Sequence, residues 1–385
     1  MHIKFVGTFS LVHTIAYTIL FAVSLFASTT AGKNHNPIAF SDLSQHPIYS
    51  KYKFTKGDTI VNFGTQPLYL PTGLITEAMR RDKILYKSLS ELGIQINFYP
   101  LLKGDDINFF LKQGNLDAGI GGDMPAITAA ATLDIVIPSL IQQGFTSIVA
   151  NRSILIENLK NKPVGYAFGS NAHYALLNAF LSEGLTEQQI LLIPMDTTEM
   201  PDALHSGRIL AFSAWEPTPT ITLNKYPESV IIHRTLSSGF LYFLRSITER
   251  NPEIIHHILA AKIRAINWIQ SSREHLLLTS KWALDAAREL SDSDISISIE
   301  ENAELAKKDI LRFSSAPIIP ENELTRNGSL FREFEFLQNI NIIPPTIEWK
   351  RVYESFDRRI IIDVLTNPEK FQFHEFQYSS IAINN

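Results

Sequence analysis

The chain has 385 residues, 45% of them hydrophobic, a formal net charge of −5 and no cysteine. That length and apolar content suffice for two packed halves rather than one small core. The weak negative charge offers no broad basic surface for nucleic acid, and the missing cysteine removes disulfides, thiolate metal sites, a cysteine nucleophile and a lipid-modified N-terminal cysteine.

Residues 1–31 open with His2 and Lys4, run apolar from Phe5 to Phe26 and end in small residues from Ala27 to Ala31. The pattern is that of an export signal cut near Ala27 or Ala31; an uncleaved N-terminal anchor is the competing reading, because the run nearly spans a bilayer. No later stretch is long and apolar enough to cross a membrane, so an extracytoplasmic, periplasmic protein is expected. Residues 32–57 are polar, with scattered prolines, and read as a leader that carries little information.

From Thr59 the chain alternates between strand and helix. Thr59 to Phe63 reads as a strand, Leu74 to Leu92 as one helix stopped by Gly93, Ile94 to Tyr99 as a strand, Asp105 to Gln113 as a helix, and Leu116 to Ile120 as a strand. A second cycle places strands at Lys162 to Ala167, Ile190 to Met195 and Ile209 to Ala214, with helices at Ala172 to Leu181 and Glu199 to His205. Such alternation predicts an α/β fold with mostly parallel sheets. Beyond Glu249 the pattern is helical, over Ile254 to Trp268, His275 to Ala287, Glu301 to Phe313, Ser329 to Leu337 and Trp349 to Leu365. Asn-Pro-Glu at 251–253 and again at 367–369 reads as a pair of helix starts.

Four strand-to-helix junctions are rich in small and polar residues: Gly64-Thr65-Gln66, Gly122-Asp123-Met124, Ser170-Asn171-Ala172-His173 and Trp215-Glu216. Backbone N–H groups at a helix start lack intrahelical acceptors, and ligands of α/β sheets bind beyond the carboxyl ends of the strands, so the four together suggest a cleft. Two of them look like counterparts, since Gly114 precedes Asp123 and Gly207 precedes Glu216 by the same nine positions. Each signal also has a plainer account: Ser170, Asp123 and Glu216 as helix caps, Trp215 as a core side chain, His173 as a structural histidine. No nucleophile elbow, His-Glu-x-x-His helix, Walker loop or Gly-x-Gly-x-x-Gly turn is present, and His256-His257 point two ways around one helix. No catalytic residue, metal ligand or cofactor is therefore assigned.

With these loops in place, GGDMPAI at 121–127, VGYAFGSNAHYALL at 164–177, AWEPTP at 214–219 and SGFLYFLRS at 238–246 resemble the periplasmic substrate-binding proteins of ABC importers of the aliphatic sulfonate, taurine and nitrate type. The resemblance implies a two-lobed periplasmic-binding-protein type II fold with hinge crossover strands and a helical C-terminal region. It implies a first lobe at 58–143 and 242–385, a second at 144–241, and crossings near Gly144 to Ala150 and Gly239 to Phe243. It further implies a monomer that captures a small anionic or zwitterionic solute, sulfonate-like in kind, and delivers it to a permease and its ATPase. The ligand contacts it implies are Gly64, Thr65, Gln66, Gly122, Asp123, Met124, Ser170, Asn171, Ala172, His173, Trp215 and Glu216. The four loops contain no arginine, so an ionised ligand would depend on backbone donors, Ser170, Asn171 and a protonated His173. Alternatives are a thiamine-pyrimidine-precursor synthase on the same fold, which the missing cysteine disfavours, a pyrimidine binder, or an extracytoplasmic sensor module.

Overall fold

The computed structural model describes residues 42–291, 295–310 and 317–383, so the expected export signal lies outside the described residues. Strand β1 (Ile60–Thr65) is buried from Val61 onward. A parallel strand covered by helices on both faces has no solvent side, which is why the polar Asn62 and Thr65 are buried along with Val61 and Phe63. It pairs in parallel with β2 (Gln95–Pro100) and β3 (Ala118–Gly122). The later strands β5 (Pro163–Tyr166), β6 (Leu191–Pro194) and β7 (Ala211–Trp215) form a second parallel group.

Two long strands join the groups. β4 (Ile135–Ala150) and β8 (Val230–Leu244) pair antiparallel over nearly their whole length, which gives the strand order β2-β1-β3-β8-β4-β7-β5-β6. Residues 239–243 of β8 lie against β3, and residues 146–150 of β4 lie against β7. The chain therefore passes between the halves inside hydrogen-bonded strands rather than through a loop. Register shifts in β4 at Val136/Ser139, Leu140/Gln142 and Ile148/Val149 are bulges, the usual means by which a long strand bends and twists.

Helices close both faces. The stretch expected as one helix from Leu74 to Leu92 is two, α1 (Thr72–Met79) and α2 (Lys83–Glu91), because Asp82 turns its carboxylate onto the N–H groups of Ile84 and Leu85 and starts a new helix. The remaining helices near the sheet are α3 (Gly104–Lys112), α4 (Asp123–Thr132), α5 (Asn171–Ser182), α6 (Met200–His205) and α7 (Thr218–Lys225). Of the C-terminal helices, α8 (Pro252–Ser271) puts Ile254, Ile258 and Leu259 into one core with Val61, Phe63, Ile120 and Phe243. α9 (Arg273–Ser291) and α10 (Ile299–Asp309) follow it, and residues 311–313 of the expected third helix lie outside the described residues.

α11 (Ser329–Asn339) does more than cover the first half. Its Phe334 and Leu337 join a core with Ile107, Phe110 and Ile127, while Phe336 packs against the second half's Val164, Leu176 and Phe180. The helix expected at Trp349 to Leu365 is broken into Trp349–Tyr353 and α12 (Arg358–Thr366), which starts on the Asp357 cap. Asn251 caps α8 as its motif requires, but Asn367 starts no helix and donates to the Asp363 carbonyl. The leader is more informative than expected. Tyr49 is buried, donates to Asp106 Oδ2 at 2.6 Å and accepts the Leu102 N–H at 2.9 Å, which ties residues 42–57 to the first half.

α8 carries two wholly buried cations with different fates. The Arg264 guanidinium donates twice to Asp82 Oδ2, at 2.9 and 2.6 Å, and once to the Phe371 carbonyl at 2.7 Å. Lys262 meets no carboxylate; it donates to Ser139 Oγ and to the Leu140 carbonyl at the β4 bulge, and burial holds its pKa down at about 7. Arg264→Met leaves the Asp82 carboxylate buried without its partner and is expected to cost about 3–5 kcal/mol in denaturant unfolding. Lys262→Met is expected to be tolerated. Between pH 7 and 10 the unfolded chain holds a proton on Lys262 that the folded chain has released, so stability rises with pH by at most about 1.4 kcal/mol per unit. Denaturation of the wild type and of Lys262→Met across that range checks it, the variant being expected to lose the rise.

Candidate functional site

The two counterpart junctions have the same construction. Gly114 and Gly207 both take left-handed φ, +63° and +73°, at the ends of α3 and α6, where a β-carbon would strain the backbone. Each is followed by the innermost parallel strand of its half, β3 or β7, and each strand borders a crossover strand. The carboxyl ends of β3 and β7 therefore face the middle of the sheet from opposite halves. The other two junctions lie beside them, Gln66 at the end of β1 and Ser170 after β5.

The halves meet at Gly122. A β-carbon there would lie 2.9 Å from Asn171 Cγ, so the start of α4 and the start of α5 approach closely only because position 122 has no side chain. Asn171 then donates its amide to the Tyr69 hydroxyl at 3.1 Å and to Ser237 Oγ at 2.5 Å. Next to it, Asp123 accepts the Ser238 N–H at 3.1 Å through one carboxylate oxygen and the Met124 N–H at 3.1 Å through the other. Gln142 accepts the Thr72 hydroxyl at 2.9 Å. A buried polar network thus runs from the first half through both crossover strands to the second.

Several expected contacts are committed elsewhere. Gln66 spends its amide on the Ile120 carbonyl at 2.5 Å, joining the ends of β1 and β3. Ser170 is the N-cap of α5, donating to the Ala167 carbonyl and accepting the His173 N–H. Trp215 is 3% exposed, donates its indole N–H to the Leu68 carbonyl at 2.9 Å and meets the Tyr69 ring edge-on, so it is a core side chain whose loss would cost stability. Gly64 leaves room for Leu116, Ile107 and Leu101, Met124 is packed in the first-half core, and Ala172 in the second. Glu216 stands outside the network: its carboxylate accepts the Thr220 N–H, and its charged neighbours are Arg234, Lys308 and Asp309.

Electrostatics correct one expectation outright. His173 is 3% exposed, packed against the Tyr166 and Phe168 rings, and burial together with Lys103 lowers its pKa to about 4. It is a neutral imidazole at pH 7 and supplies no positive charge. Both of its ring nitrogens, and the hydroxyl of buried Thr65, have no hydrogen-bond partner within the protein. Asp123, also buried, has its carboxyl raised to about 6 by desolvation, which outweighs the two N–H groups it accepts. Among the described residues no group of His, Asp and Glu is placed to hold a metal ion.

Tyr69, Gln142 and Ser237 were not expected at the site. Tyr69 lies in the turn after Gln66, and the other two sit on crossover strands where the sequence shows only apolar and polar residues mixed. Nothing in their local pattern marks them; they become central because β4 and β8 run through the meeting point of the halves.

No protein-family model matches the chain. A protein of Bacillus subtilis (strain 168), described as an aliphatic sulfonates-binding protein, is 25% identical over 194 residues, which are 48% of this chain and 58% of that one. The chain thus spans less than two thirds of that relative's length. The periplasmic aliphatic sulphonate-binding protein of Escherichia coli superposes with a TM-score of 0.55 at 18% identity, over 77% of this chain and 99% of the other. The alkanesulfonate-binding protein of Xanthomonas axonopodis pv. citri gives 0.58 at 13%, over 77% and 99%. The periplasmic nitrate-binding protein of Synechocystis PCC 6803 gives 0.56 at 11%, over 81% and 90%. The eight-stranded sheet with its two crossover strands is therefore the type II periplasmic-binding-protein fold, and in sequence the chain resembles the aliphatic-sulfonate-type substrate-binding proteins of ABC importers.

Proposed function

We propose that this protein is the extracytoplasmic solute-binding component of an ABC importer, taking a small organic solute between residues 58–143 with 242–385 and residues 144–241, and handing it to a membrane permease and its ATPase. One observation carries the reading: the helix starts of α4 and α5, from opposite halves, touch at Gly122 and Asn171, where backbone donors and buried side chains converge. Closure of two bodies around a guest has physical sense when the contacts form fully only in the closed state, and crossover strands allow such a motion without breaking the chain's packing. The likeness to binding proteins supports the same reading. On this reading the protein is not an enzyme, works as a monomer and reaches its compartment by the export signal of residues 1–31.

Within the site, Asn171, Thr65, His173 and the backbone at Gly122 are the proposed contacts. Unpartnered buried polar atoms are costly, so Thr65 Oγ1 and the His173 nitrogens are the groups a solute would satisfy. A sulfonate, nitrate or other oxyanion would rest on backbone donors, because His173 brings no charge.

A thermal-shift screen of alkanesulfonates, nitrate, bicarbonate and pyrimidines tests the proposal, since a solute that binds only the folded state raises its midpoint. A midpoint rise with one class is expected; turnover of that compound would instead establish the enzymatic alternative. Gly122→Ala inserts a methyl group against Asn171 and should hold the halves apart, lowering affinity by about tenfold or more while leaving the empty protein's midpoint near that of the wild type. Calorimetry with the solute found, and small-angle scattering for the opening, check this outcome.

His173→Phe keeps the aromatic packing and removes two unsatisfied nitrogens. In the wild type the folded-state pKa is depressed, so stability present above pH 6.5 is lost as pH falls towards 4. The variant should unfold at a higher temperature at pH 5, show a flatter acid limb and bind the solute more weakly, all readable in a pH series of thermal melts with and without the solute.

A further inference from the structure

On the Ser238 side of Asp123 lies a cavity of about 510 Å³, well within the size of small-molecule sites. Its polar lining comes from both halves: Tyr174 and Asn178 of α5, Ser238 of β8, Asp123 of α4 and Glu333 of α11. Glu333 is 3% exposed, and its Oε1 has no hydrogen-bond partner within the protein. Burial and the Asp123 charge hold its carboxyl well above its ordinary range, so it meets the cavity as a protonated acid, with one O–H to donate and one oxygen to accept. The Asn178 amide and the Tyr174 hydroxyl also both donate and accept, and Ser238 Oγ accepts the Gln143 amide at 3.4 Å while keeping its O–H to donate. Asp123 accepts only, and each of its oxygens already holds one backbone N–H. Arg332, the one basic side chain among the described residues that line the cavity, is exposed and donates to the Asn327 carbonyl.

We infer that this cavity takes an uncharged compound bearing neighbouring hydroxyl groups, a sugar or a cyclic polyol, held by Glu333, Asn178 and Asp123 with its apolar face against Tyr174 and Phe336. This deepens the solute-binding reading and rests on it. A hydroxyl donates and accepts at once, so two of them on adjacent carbons answer the paired donor and acceptor of a protonated carboxyl or an amide, and a spare proton goes to Asp123. An oxyanion offers acceptors alone, finds a single proton on Glu333, and brings like charge beside Asp123 away from water. An ammonium group offers donors alone, and a neutral Glu333 gives it no opposite charge. The apolar part of the wall suits a ring as well. Tyr174 and Phe336 meet edge-on with centroids 5.2 Å apart, and Leu236 and Phe240 extend that surface, so the C–H face of a sugar ring can leave water while its hydroxyls stay bonded.

Calorimetric titration of the purified protein at pH 7 with myo-inositol, D-glucose and D-ribose, and with cyclohexanol as a ring of one hydroxyl, tests the assignment. At least one of the three polyols is expected to titrate to saturation, about tenfold or more tighter than cyclohexanol. Two substitutions then ask whether Glu333 acts as a neutral group. Glu333→Gln keeps the shape, a donor and an acceptor, and should hold the affinity within about threefold; Glu333→Leu removes both and should lower it about tenfold or more. The empty Glu333→Leu protein should melt no lower than the wild type, since it no longer buries an unbonded carboxyl. Asn178→Ala, at a half-buried position, should lower polyol affinity several-fold without relying on a change at Glu333. Cyclohexanol binding as tightly as the polyols, Glu333→Gln losing as much as Glu333→Leu, or wild-type affinity in both Glu333→Leu and Asn178→Ala would each overturn the assignment. Silence of all three polyols, with an alkanesulfonate, nitrate, bicarbonate or pyrimidine still raising the midpoint in the wider screen, overturns it and leaves the solute-binding reading intact; silence throughout overturns both.

Discussion

Strands β4 and β8 keep their backbone hydrogen bonds across both halves of the molecule, and everything at the candidate site follows from that pairing. Because the crossing is made within paired strands, Gln142, Ser237 and Ser238 are delivered to the middle of the sheet from a rigid support. The parallel groups on either side then bring their innermost strand ends, β3 and β7, towards that middle. A loop crossing would leave the same residues on flexible backbone, and the distance between Gly122 and Asn171 would have no reason to be short.

The site combines contacts that hold the halves with groups that have no partner. Asn171, Tyr69 and Ser237 satisfy one another, as do Asp123 and the N–H groups of Ser238 and Met124. Thr65, His173 and Glu333 retain buried polar atoms without a bond. Buried polar groups are bonded in the large majority of folded proteins, and unbonded ones also occur away from the meeting point, among them Arg81, Thr248 and Tyr378. The contrast with α8 is instructive: there the buried Arg264 is fully bonded to Asp82 and the Phe371 carbonyl, and its role is to fasten the C-terminal segment.

The C-terminal helices have two roles. α8 supplies apolar cover to the first-half sheet, the ordinary task of a helix on an α/β sheet. α11 reaches both cores, with Phe334 in one and Phe336 in the other, and carries Glu333 between them onto the cavity.

The order of strands and helices could be read from the chain, because apolar periodicity, glycine stops and capping residues act over a few neighbours. The four junctions followed from the same local signals, whereas the name of the fold came from the resemblance of their motifs to a known family. Local signals also misled: Leu74 to Leu92 keeps helical spacing throughout, yet Asp82 caps a new helix with one carboxylate oxygen and holds Arg264, 182 residues away, with the other. Which junction residues face a shared space, and which are spent on their own backbone, was decided only by the tertiary structure. Trp215 and Gln66 bond to carbonyls that distant turns and strands supply, His173 loses its charge to burial, and Glu333 acquires its place from the packing of α11. Burial and partner choice depend on atoms far along the chain, and no periodicity in the sequence records them.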